Sequence, residues 1–383
     1  MKPHIFHIIE DYSPANYGVY QVVRQLTGYL ASQGYPTTIL AAGRTGTPVP
    51  EGVNLREFPL GWGGRRWRYP RGLRAYLETL GGSAGNIFHI HGVWLASQWL
   101  AARAASRQGV PVVLTAHGML EPWLWRDGRL RRVKKLLYWY SLAYPAFRRL
   151  PLIHAITPLE RDHLAPQFPG QRLTVIPNAL DLTEADDFLA THEGQSSEAA
   201  PPYLLFLGRL HPKKGLEVLI PAFGRALKGR EFRLLIAGPA DHKKYAHRLQ
   251  ALVRDWGLER QVSFLGSIFG PQKWRLYRDA WAFCAPSHSE VVGLVNLEAA
   301  AVETPVITTH ETGLSDWEEG GGILVSPRVE ELSEALELVF SLSEAERQQR
   351  GRRLRQLVER RYSWEVVGRQ WLSLYKELLE GRP

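Results

Sequence analysis

Residues 203–227 read YLLFLGRLHPKKGLEVLIPAFGRAL, a short apolar run followed by a basic turn and a longer amphipathic stretch. The run 203–207 has the length and composition of a buried strand, and the spacing of apolar residues after Gly215 predicts a helix. A strand, a tight turn and a helix in this order form the repeating unit of a parallel α/β sheet. This stretch therefore favours an α/β fold with a parallel sheet.

The same alternation runs along both halves of the chain. In the first half, apolar runs predict strands at 5–9, 37–41, 87–90, 110–115, 153–156 and 173–176, with helices such as 19–33 and 94–108 between them. In the second half, strands are predicted at 203–207, 232–237, 262–265, 281–284, 305–308 and 322–325, with helices at 215–228, 245–256, 271–278, 294–302 and 329–342. Two such series predict two Rossmann-like, doubly wound domains facing each other across a cleft, with ligands beyond the carboxyl ends of the strands.

The polar stretch 191–202, THEGQSSEAAPP, ends just before a predicted strand and marks the break between the two domains. From residue 343 onward the chain reads as helical. Ser343 and Glu346 have the spacing of a capping box, which predicts that a helix begins there.

Composition limits the classes of protein. The chain has 383 residues, 45% hydrophobic and 22% charged, as expected for a globular protein with large cores. Lysine and arginine number 47 against 38 acidic residues, and this excess of +9 favours a negatively charged partner. The one cysteine, Cys284, excludes an internal disulfide and a multi-cysteine zinc site, fits a reducing cytoplasm, and is predicted to be buried in a strand.

No apolar run reaches the roughly 18 residues of a transmembrane helix. The start, MKPHIFHIIE, is interrupted by His4 and His7 and ends at Glu10, so it predicts a buried strand and not a signal peptide.

Residues 286–307 read PSHSEVVGLVNLEAAAVETPVI, in which seven residues separate Glu290 from Glu298. Gly293 lies between them at the predicted start of a helix, where backbone N–H groups form an anion site. The N–H groups that would approach a phosphate belong to Gly293, Leu294 and Val295. Glu298 is placed to bind a hydroxylated group such as a ribose, and Glu290 another part of the same ligand. The alternative is a pair of surface carboxylates.

The turn at 207–217, LGRLHPKKGLE, places Arg209 and Lys214 between a strand and a helix. Two fixed cations at the carboxyl end of a strand suit a diphosphate, whose negative charge grows as it departs. A solvated basic loop is the alternative for this motif alone.

Together these motifs resemble retaining glycosyltransferases of the family-4 type (glycosyl transferases group 1), which have the GT-B fold. The resemblance covers essentially the whole chain, including VIPNALD at 175–181 and the last helix. It implies that Arg209 and Lys214 hold the diphosphate of a nucleotide sugar, that Glu290 faces the transferred sugar and that Glu298 binds the ribose. It further implies an acceptor domain at 1–180, onto which helix 364–383 packs back, and a donor domain at 181–363.

The resemblance also assigns residues elsewhere in the chain. In DYSPANYG at 11–18 the family has two adjacent glycines near the donor phosphates, and here only Gly18 carries over. His117, just after a predicted strand, corresponds to a histidine beside the transferred sugar. The nucleobase is expected at the loop of Ser267, Ile268 and Phe269, and the sequence does not distinguish uridine from guanosine.

His89 and His91 alternate along one strand and so lie on one face of the sheet. A metal pair is one interpretation, but no third ligand is evident and the resemblance implies no metal. His91, nearer the end of the strand, is expected to line the acceptor pocket.

Two stretches mix arginine with aromatic residues, at 62–76 and 123–149. Such stretches favour an anionic membrane surface, and the alternative is an amphipathic core helix with a basic face. Nucleic acid is not expected, because no nucleic-acid module is recognisable.

The sequence therefore predicts a cytoplasmic, metal-independent, retaining glycosyltransferase without a cofactor, peripheral on the inner face of the cell membrane. It would move a sugar from a UDP- or GDP-sugar to a hydroxyl or lipid-linked glycan acceptor in polysaccharide or glycolipid synthesis. One alternative is another enzyme on the same two-domain plan, either a sugar-nucleotide epimerase or a phosphorylase. A cofactor-dependent phosphorylase needs a lysine motif for pyridoxal phosphate, and none is recognisable. The other alternative is a non-catalytic homologue that binds membrane glycolipid.

Overall fold

The structure, a computed structural model, describes residues 2–14, 17–61, 67–81, 85–125, 129–192, 201–240 and 243–381. The chain divides into two compact units. Unit 1 comprises Met1–Ala179 and Trp364–Pro383, and unit 2 comprises Leu180–Ser363.

Unit 1 is built on a parallel sheet. Its described strands are β1 His4–Ile9, β2 Thr37–Ala42, β3 Val53–Phe58, β4 Asn86–His91, β5 Val112–Thr115, β6 Leu152–Ala155 and β7 Arg172–Val175, in the order β3-β2-β1-β4-β5-β6-β7. Its described α-helices are α1 Tyr17–Ser32, α2 Leu73–Thr79, α3 Ala96–Gln108, α4 Arg129–Tyr138, α5 Tyr144–Phe147, α6 Pro158–Leu164 and the last helix, α14 Trp364–Leu379. A π-helical turn, Trp139–Ala143, joins α4 to α5.

Unit 2 repeats the plan. Its described strands are β8 Tyr203–Leu207, β9 Arg233–Ala237, β10 Val262–Gly266, β11 Ala282–Ala285, β12 Val306–Thr309 and β13 Ile323–Val325, in the order β10-β9-β8-β11-β12-β13. Its described α-helices are α7 Thr183–Thr191, α8 Leu216–Leu227, α9 Lys243–Asp255, α10 Pro271–Arg278, α11 Leu294–Ala301, α12 Val329–Ser341 and α13 Glu344–Tyr362. Short 3-10 turns lie at Pro212–Lys214, His310–Thr312 and Trp317–Gly320.

The predicted α/β class is confirmed, and each predicted strand is present to within about two residues. Strand β3 was missed because its sequence, VNLREF, alternates buried and exposed residues at the edge of the sheet and has no continuous apolar run. The capping box is confirmed, since the N–H of Ser343 donates to Glu346 Oε2 at 2.9 Å and α13 begins there. Cys284 is fully buried in β11, as predicted.

Each sheet has one point where the strand order reverses. In unit 1 it lies between β1 and β4, and in unit 2 between β8 and β11. The connections after these paired strands leave in opposite directions, so a crevice opens at their carboxyl ends. Most of the predicted site residues lie in or next to the segments that follow these strands, whereas His117 follows β5 and Ser267, Ile268 and Phe269 follow β10.

The last helix, α14, belongs to unit 1, where Trp371 and Tyr375 are buried with Ile5 of β1 and Ile87 of β4. Among the described helices, none combines the length and apolar character that crossing a membrane requires.

Candidate functional site

The loops after β8 and β11 are packed tightly against each other at the strand-order reversal of unit 2. Gly215 has a φ of 71°, and a Cβ placed on it would lie 2.0 Å from the carbonyl oxygen of Pro286. The N–H of His288 donates to the carbonyl of Lys213 at 2.8 Å. Only glycine permits this approach, and the contact fixes the basic turn beside the glutamate loop.

This packing joins Lys214 to Glu290. The ammonium group of Lys214 donates to Glu290 Oε2, and each side chain is 19% exposed. Burial by itself would raise the pKa of Glu290, but the ammonium groups of Lys214 and Lys213 outweigh it and hold this pKa at about 2. The carboxylate is therefore charged at neutral pH. Arg209, in the same turn, is exposed and forms no hydrogen bond with the described residues.

Gly293 ends the glutamate loop and begins α11. Its φ of 62° is in the left-handed region, and a Cβ there would lie 3.1 Å from Glu290 Cγ. The first turn of a helix leaves N–H groups without intrahelical acceptors, and here these belong to the partly exposed Leu294 and Val295. The structure thus places the start of α11 directly after Glu290, as the spacing predicted.

Glu298 is held by two residues that the sequence analysis missed. It is 7% exposed, and its two oxygens accept hydrogen bonds from Lys273 Nζ at 3.0 Å and from the hydroxyl of Tyr277 at 2.9 Å. Lys273 and Tyr277 are four residues apart on α10 and so share one face of that helix. This spacing was a signal in the sequence, but nothing in it indicated which acidic residue the pair would meet.

Ser267, Ile268 and Phe269 form the connection between β10 and α10. The ring of Phe269 is 73% exposed, more than the other exposed large apolar side chains of the described residues. The predicted base loop is therefore joined through α10 to the residues that hold Glu298.

In unit 1, five histidines of the central strands lie together on the sheet face that α14 covers. His91 at the end of β4 contacts His117 through its Nδ1, 2.9 Å from His117 Nε2, and contacts His7 of β1 through its Nε2, 3.0 Å from His7 Nδ1. His89 and His154 join the group through the hydroxyl of Thr115. The structure thus brings the predicted residues His91 and His117 into direct contact.

These histidines are neutral at physiological pH because burial opposes their charged form. Burial lowers the pKa of His7 and of His117 to about 3 and that of His154 to about 4. The pKa values of His89 and His91 are also far below the ordinary value of 6.5, because of burial and the neighbouring imidazoles.

The expectation that His89 and His91 have no third partner for a metal is wrong. His7 lies on the adjacent strand β1, and one ring nitrogen from each of the three lies within 4.8 Å of the others. The sequence could not show this, because strand pairing brings together residues more than 80 positions apart. That no metal is bound here stays a prediction.

His117 has an unusual backbone conformation, with a φ of 53°. The next N–H, of Gly118, donates to Glu160 Oε1 at 2.6 Å, and Glu160 Oε2 accepts from the N–H of Ile156 at 2.7 Å. Burial raises the pKa of Glu160 to about 7, against the opposing effect of these N–H groups. His117 thus has a backbone conformation that is uncommon for a non-glycine residue, and Glu160 fixes the backbone directly after it.

Gly18 is the second residue of α1, is exposed, and has no atom within 4 Å of where a Cβ would lie. Residues 15 and 16 of its loop lie outside the described residues, as do 62–66 and 126–128 of the two basic aromatic stretches. The proposed phosphate contact of Gly18 therefore stays a prediction.

The described part of the second basic aromatic stretch has an exposed apolar surface. Val133, Leu137 and Tyr140 are 54%, 68% and 58% exposed, and the basic residues on either side of Val133, Arg132 and Lys134, are also exposed. In the first stretch, by contrast, Trp67, Tyr69 and Tyr76 are only partly exposed, two of them packed on the core.

Comparisons with known proteins identify the family. The profile of the family described as Glycosyl transferases group 1 matches residues 189–356, and that of Glycosyltransferase Family 4 matches residues 17–184. An uncharacterized glycosyltransferase of Methanocaldococcus jannaschii is 30% identical over 221 residues, which are 55% of this chain and 56% of that protein. The D-inositol 3-phosphate glycosyltransferase of Segniliparus rotundus is 28% identical over 87% of this chain and 77% of its own. The first of these matches thus spans little more than half the length of the relative.

Solved structures agree with this assignment at the level of the fold. Sucrose-phosphate synthase of Thermosynechococcus elongatus has a TM-score of 0.78 at 21% identity and covers 99% of this chain and 100% of its own. HepE of Anabaena, in complex with UDP and glucose, has a TM-score of 0.73 at 16% identity, and the match covers 98% of this chain and 100% of the HepE chain. Since the two family profiles follow one another and take in most of the chain, this protein belongs to the group 1 and family 4 glycosyltransferases of the GT-B fold.

Proposed function

We propose that this protein transfers a sugar from a nucleoside diphosphate sugar to a hydroxyl acceptor, with retention of configuration and without a metal ion or cofactor. The observation that carries the proposal is the meeting of the β8 and β11 loops in unit 2. There the Lys214 ammonium is paired with Glu290, close to the start of α11, and Arg209 lies in the same basic turn as Lys214.

The chemistry follows from this arrangement of charges. As the bond between the sugar and the diphosphate breaks, negative charge grows on the departing diphosphate, and fixed cations and helix N–H groups stabilise it. In the ligand-free chain Glu290 neutralises Lys214. When the diphosphate binds, the Lys214 ammonium turns to a phosphate oxygen, and the freed Glu290 carboxylate accepts hydrogen bonds from the sugar. The acceptor oxygen bonds to the same face of the sugar carbon, and its proton passes to the departing diphosphate.

The nucleoside is bound farther along unit 2. Glu298 accepts a hydrogen bond from the ribose, because each of its oxygens has further lone pairs beyond the donors Lys273 and Tyr277. The exposed ring of Phe269 stacks on the base. The donor is a UDP- or GDP-sugar, and the complexes of HepE with UDP and with UDP-glucose favour UDP.

The acceptor is bound by unit 1, where His117 and His91 line a common pocket. The exposed apolar residues Val133, Leu137 and Tyr140, with the basic residues between them, contact an anionic membrane surface that presents a lipid-linked acceptor. A role in polysaccharide or glycolipid synthesis is in keeping with the similarity to WaaG, a glycosyltransferase involved in lipopolysaccharide biosynthesis.

The donor site is tested by thermal denaturation with UDP, GDP, ADP and CDP, each with and without EDTA. A diphosphate at about 100 times its dissociation constant adds roughly 2.7 kcal/mol of stability. One diphosphate is expected to raise the melting temperature equally with and without EDTA, and the anomeric configuration of the product, followed by NMR, is expected to equal that of the donor. Failure of all four to bind at millimolar concentration in calorimetry would instead support the non-catalytic homologue.

The membrane contact is tested by sedimentation with vesicles that contain anionic lipid. Leu137→Asp should abolish sedimentation, while Leu338→Asp, at an exposed leucine of unit 2, should leave it unchanged. Equal sedimentation of both variants would disprove this surface.

A further inference from the structure

We propose that His7, buried in β1, is a positioning residue that acts through His91 to fix which ring nitrogen of His117 carries the proton. The three rings, here named the histidine column, are connected by two hydrogen bonds. The inference rests on the proposed function only in assuming that His117 contacts a substrate.

A neighbouring chain of hydrogen bonds shows that the direction of each proton is determined in this region. His154 Nε2 lies 2.8 Å from the carbonyl oxygen of Ile176, which can only accept, so Nε2 carries the proton and Nδ1 is an acceptor. Thr115 must therefore donate to His154 Nδ1, at 2.9 Å, and its oxygen accepts from His89 Nε2, at 2.8 Å. His89 Nδ1 then accepts from the hydroxyl of Tyr375 at 2.7 Å.

The histidine column has two possible directions, because each neutral imidazole has one N–H. In the first, His7 Nδ1–H donates to His91 Nε2, and His91 Nδ1–H donates to His117 Nε2. In the second, both bonds are reversed. The two directions differ at His7 Nε2, which is buried and has no hydrogen-bond partner in the described part of the chain.

The first direction leaves a lone pair at that nitrogen, and the second leaves a buried N–H. Among backbone groups, an unpaired buried N–H donor is rarer than an under-satisfied acceptor, and the same preference at the imidazole disfavours the second direction. The geometry therefore points to the first direction, in which the proton pattern begins at the fully buried His7 and ends at the partly exposed His117.

This direction limits what His117 can do. Its Nε2 is occupied by the N–H of His91, so this nitrogen does not act as a base. Nδ1 carries the proton and forms no hydrogen bond with any described residue. His117 therefore presents a neutral hydrogen-bond donor to a substrate oxygen.

A metal ion at His7, His89 and His91 is the competing use of these side chains. Every ring nitrogen of the three except His7 Nε2 already has a hydrogen-bond partner. A metal would have to displace some of these bonds, and no carboxylate belongs to the group to offset its charge. The three side chains are thus better suited to hydrogen bonding as neutral imidazoles than to binding a metal ion.

The test is the ring tautomer of each histidine, measured from the side-chain nitrogen shifts of protein labelled with ¹⁵N-histidine. The wild type is expected to show Nδ1–H at His7, His91 and His117, and Nε2–H at His89 and His154. An Nε2–H form of His117 would overturn the proposal, as would loss of the His7 or His91 N–H signals on adding one equivalent of Zn²⁺.

Two variants separate positioning from packing. His7→Asn keeps an N–H donor at the place of Nδ1 and should preserve the His117 tautomer, whereas His7→Leu removes the donor and should give a mixture of tautomers. The matched control is Thr38→Val, which removes the hydroxyl bonded to His4 in the same sheet. It should leave the nitrogen signals of His7 and His117 unchanged. An unchanged His117 in His7→Leu would contradict the proposal.

The activity measurement follows once a donor is known. His7→Leu should lower kcat about tenfold, the effect of one hydrogen bond in the transition state, with KM for the donor little changed. His7→Asn should recover most of this loss. If the wild type transfers no sugar, the proposed function fails, but the tautomer measurement still determines the direction of the hydrogen bonds in the histidine column. If transfer occurs and His7→Leu equals the wild type, the positioning role fails alone.

Discussion

The two units place chemically different groups at the same point of the same fold. In unit 1 the strands next to the reversal of strand order carry His7, His89 and His91, all neutral and at most 1% exposed. In unit 2 the corresponding loops carry a Lys214–Glu290 ion pair in which each side chain is 19% exposed. Equivalent places in the two sheets therefore carry different chemistry, and burial decides whether the residues there are charged.

The difference has a simple physical cause. A buried charge without a partner is costly, so a fully buried polar group has to be neutral and hydrogen-bonded. A half-buried charge is stable beside an opposite charge. The face of the unit 1 sheet is covered by α14, and this cover requires neutral imidazoles. In unit 2 the side chains of Lys214 and Glu290 are each 19% exposed, and there the two opposite charges are paired.

The largest expected effect is a difference between the two units in how much stability they lose in mild acid. A histidine whose folded pKa is lowered contributes stability that is present above its unfolded pKa of about 6.5 and is lost as the pH falls below it. At pH 5, keeping one such ring neutral lowers the free energy of unfolding by about 2 kcal/mol. For His7, His117 and His154 as independent sites the total is about 6 kcal/mol. The lowered pKa of Glu290, about 2, makes its contribution persist above pH 4.5 and disappear only below it.

Hydrogen exchange followed by mass spectrometry between pH 7 and pH 5, corrected for the intrinsic rate, measures this for each unit. Peptides of β1, β4 and β5 should lose protection while peptides of β8 and β11 keep it. Equal loss of protection in both units would show that the histidines are not held neutral by burial.

The next largest effect concerns the charged site. Lys214→Ala should lower sugar transfer on the order of a hundredfold, because one fixed cation on a developing charge is worth about 3 kcal/mol. The change also leaves Glu290 without its main partner, so its pKa should rise. Steady-state kinetics with the donor identified by thermal denaturation provide the measurement.

Lys244→Ala is the matched control, since Lys244 is an exposed lysine of α9 in the same unit. Its transfer rate should equal that of the wild type. Full activity in Lys214→Ala would remove Lys214 from the proposed site.

Sequence patterns indicate the fold and the loops of unit 2 more directly than they indicate the histidine contacts of unit 1. Apolar runs of strand length and the glycines at 215 and 293 determine the loops of unit 2 locally, so Arg209, Lys214, Glu290 and Glu298 were identifiable from nearby residues. Strand β3 was not, because an edge strand has a half-polar pattern.

The neutral site depends on pairing between distant strands. His7 meets His91 only because β1 lies beside β4, and Tyr375 meets His89 across 286 positions of sequence. The positions of Lys273 and Tyr277 around Glu298 are likewise set by packing between helices. The spacing of Lys273 and Tyr277 shows that they share one face of a helix, but no local pattern shows which residue any of these side chains meets.

A smaller loss of stability is expected when the buried carboxylate of Glu298 in unit 2 loses one of its hydrogen bonds. Tyr277→Phe removes the hydroxyl that donates to Glu298 Oε2, and loss of a hydrogen bond to a buried charged group costs about 2 kcal/mol. Urea denaturation should show this loss, together with weaker binding of the diphosphate. Tyr203→Phe removes a hydroxyl that donates to the neutral carbonyl of Leu276 in the same unit and should cost less and leave binding unchanged.

The smallest effect should come from the most exposed group. Phe269 is 73% exposed and contributes little to the core, so Phe269→Ala should not lower the melting temperature of the free protein. If its ring stacks on the base, removing it should weaken nucleotide binding by about 1 kcal/mol, or roughly fivefold in the dissociation constant. The effect should appear with the nucleoside diphosphate and vanish with inorganic diphosphate, which has no base. Equal weakening for both ligands would mean that Phe269 shapes the loop and not the base contact. Unit 2 would then hold its donor through the diphosphate and the ribose, at its charged side chains and the start of α11, without a contact from Phe269 to the base.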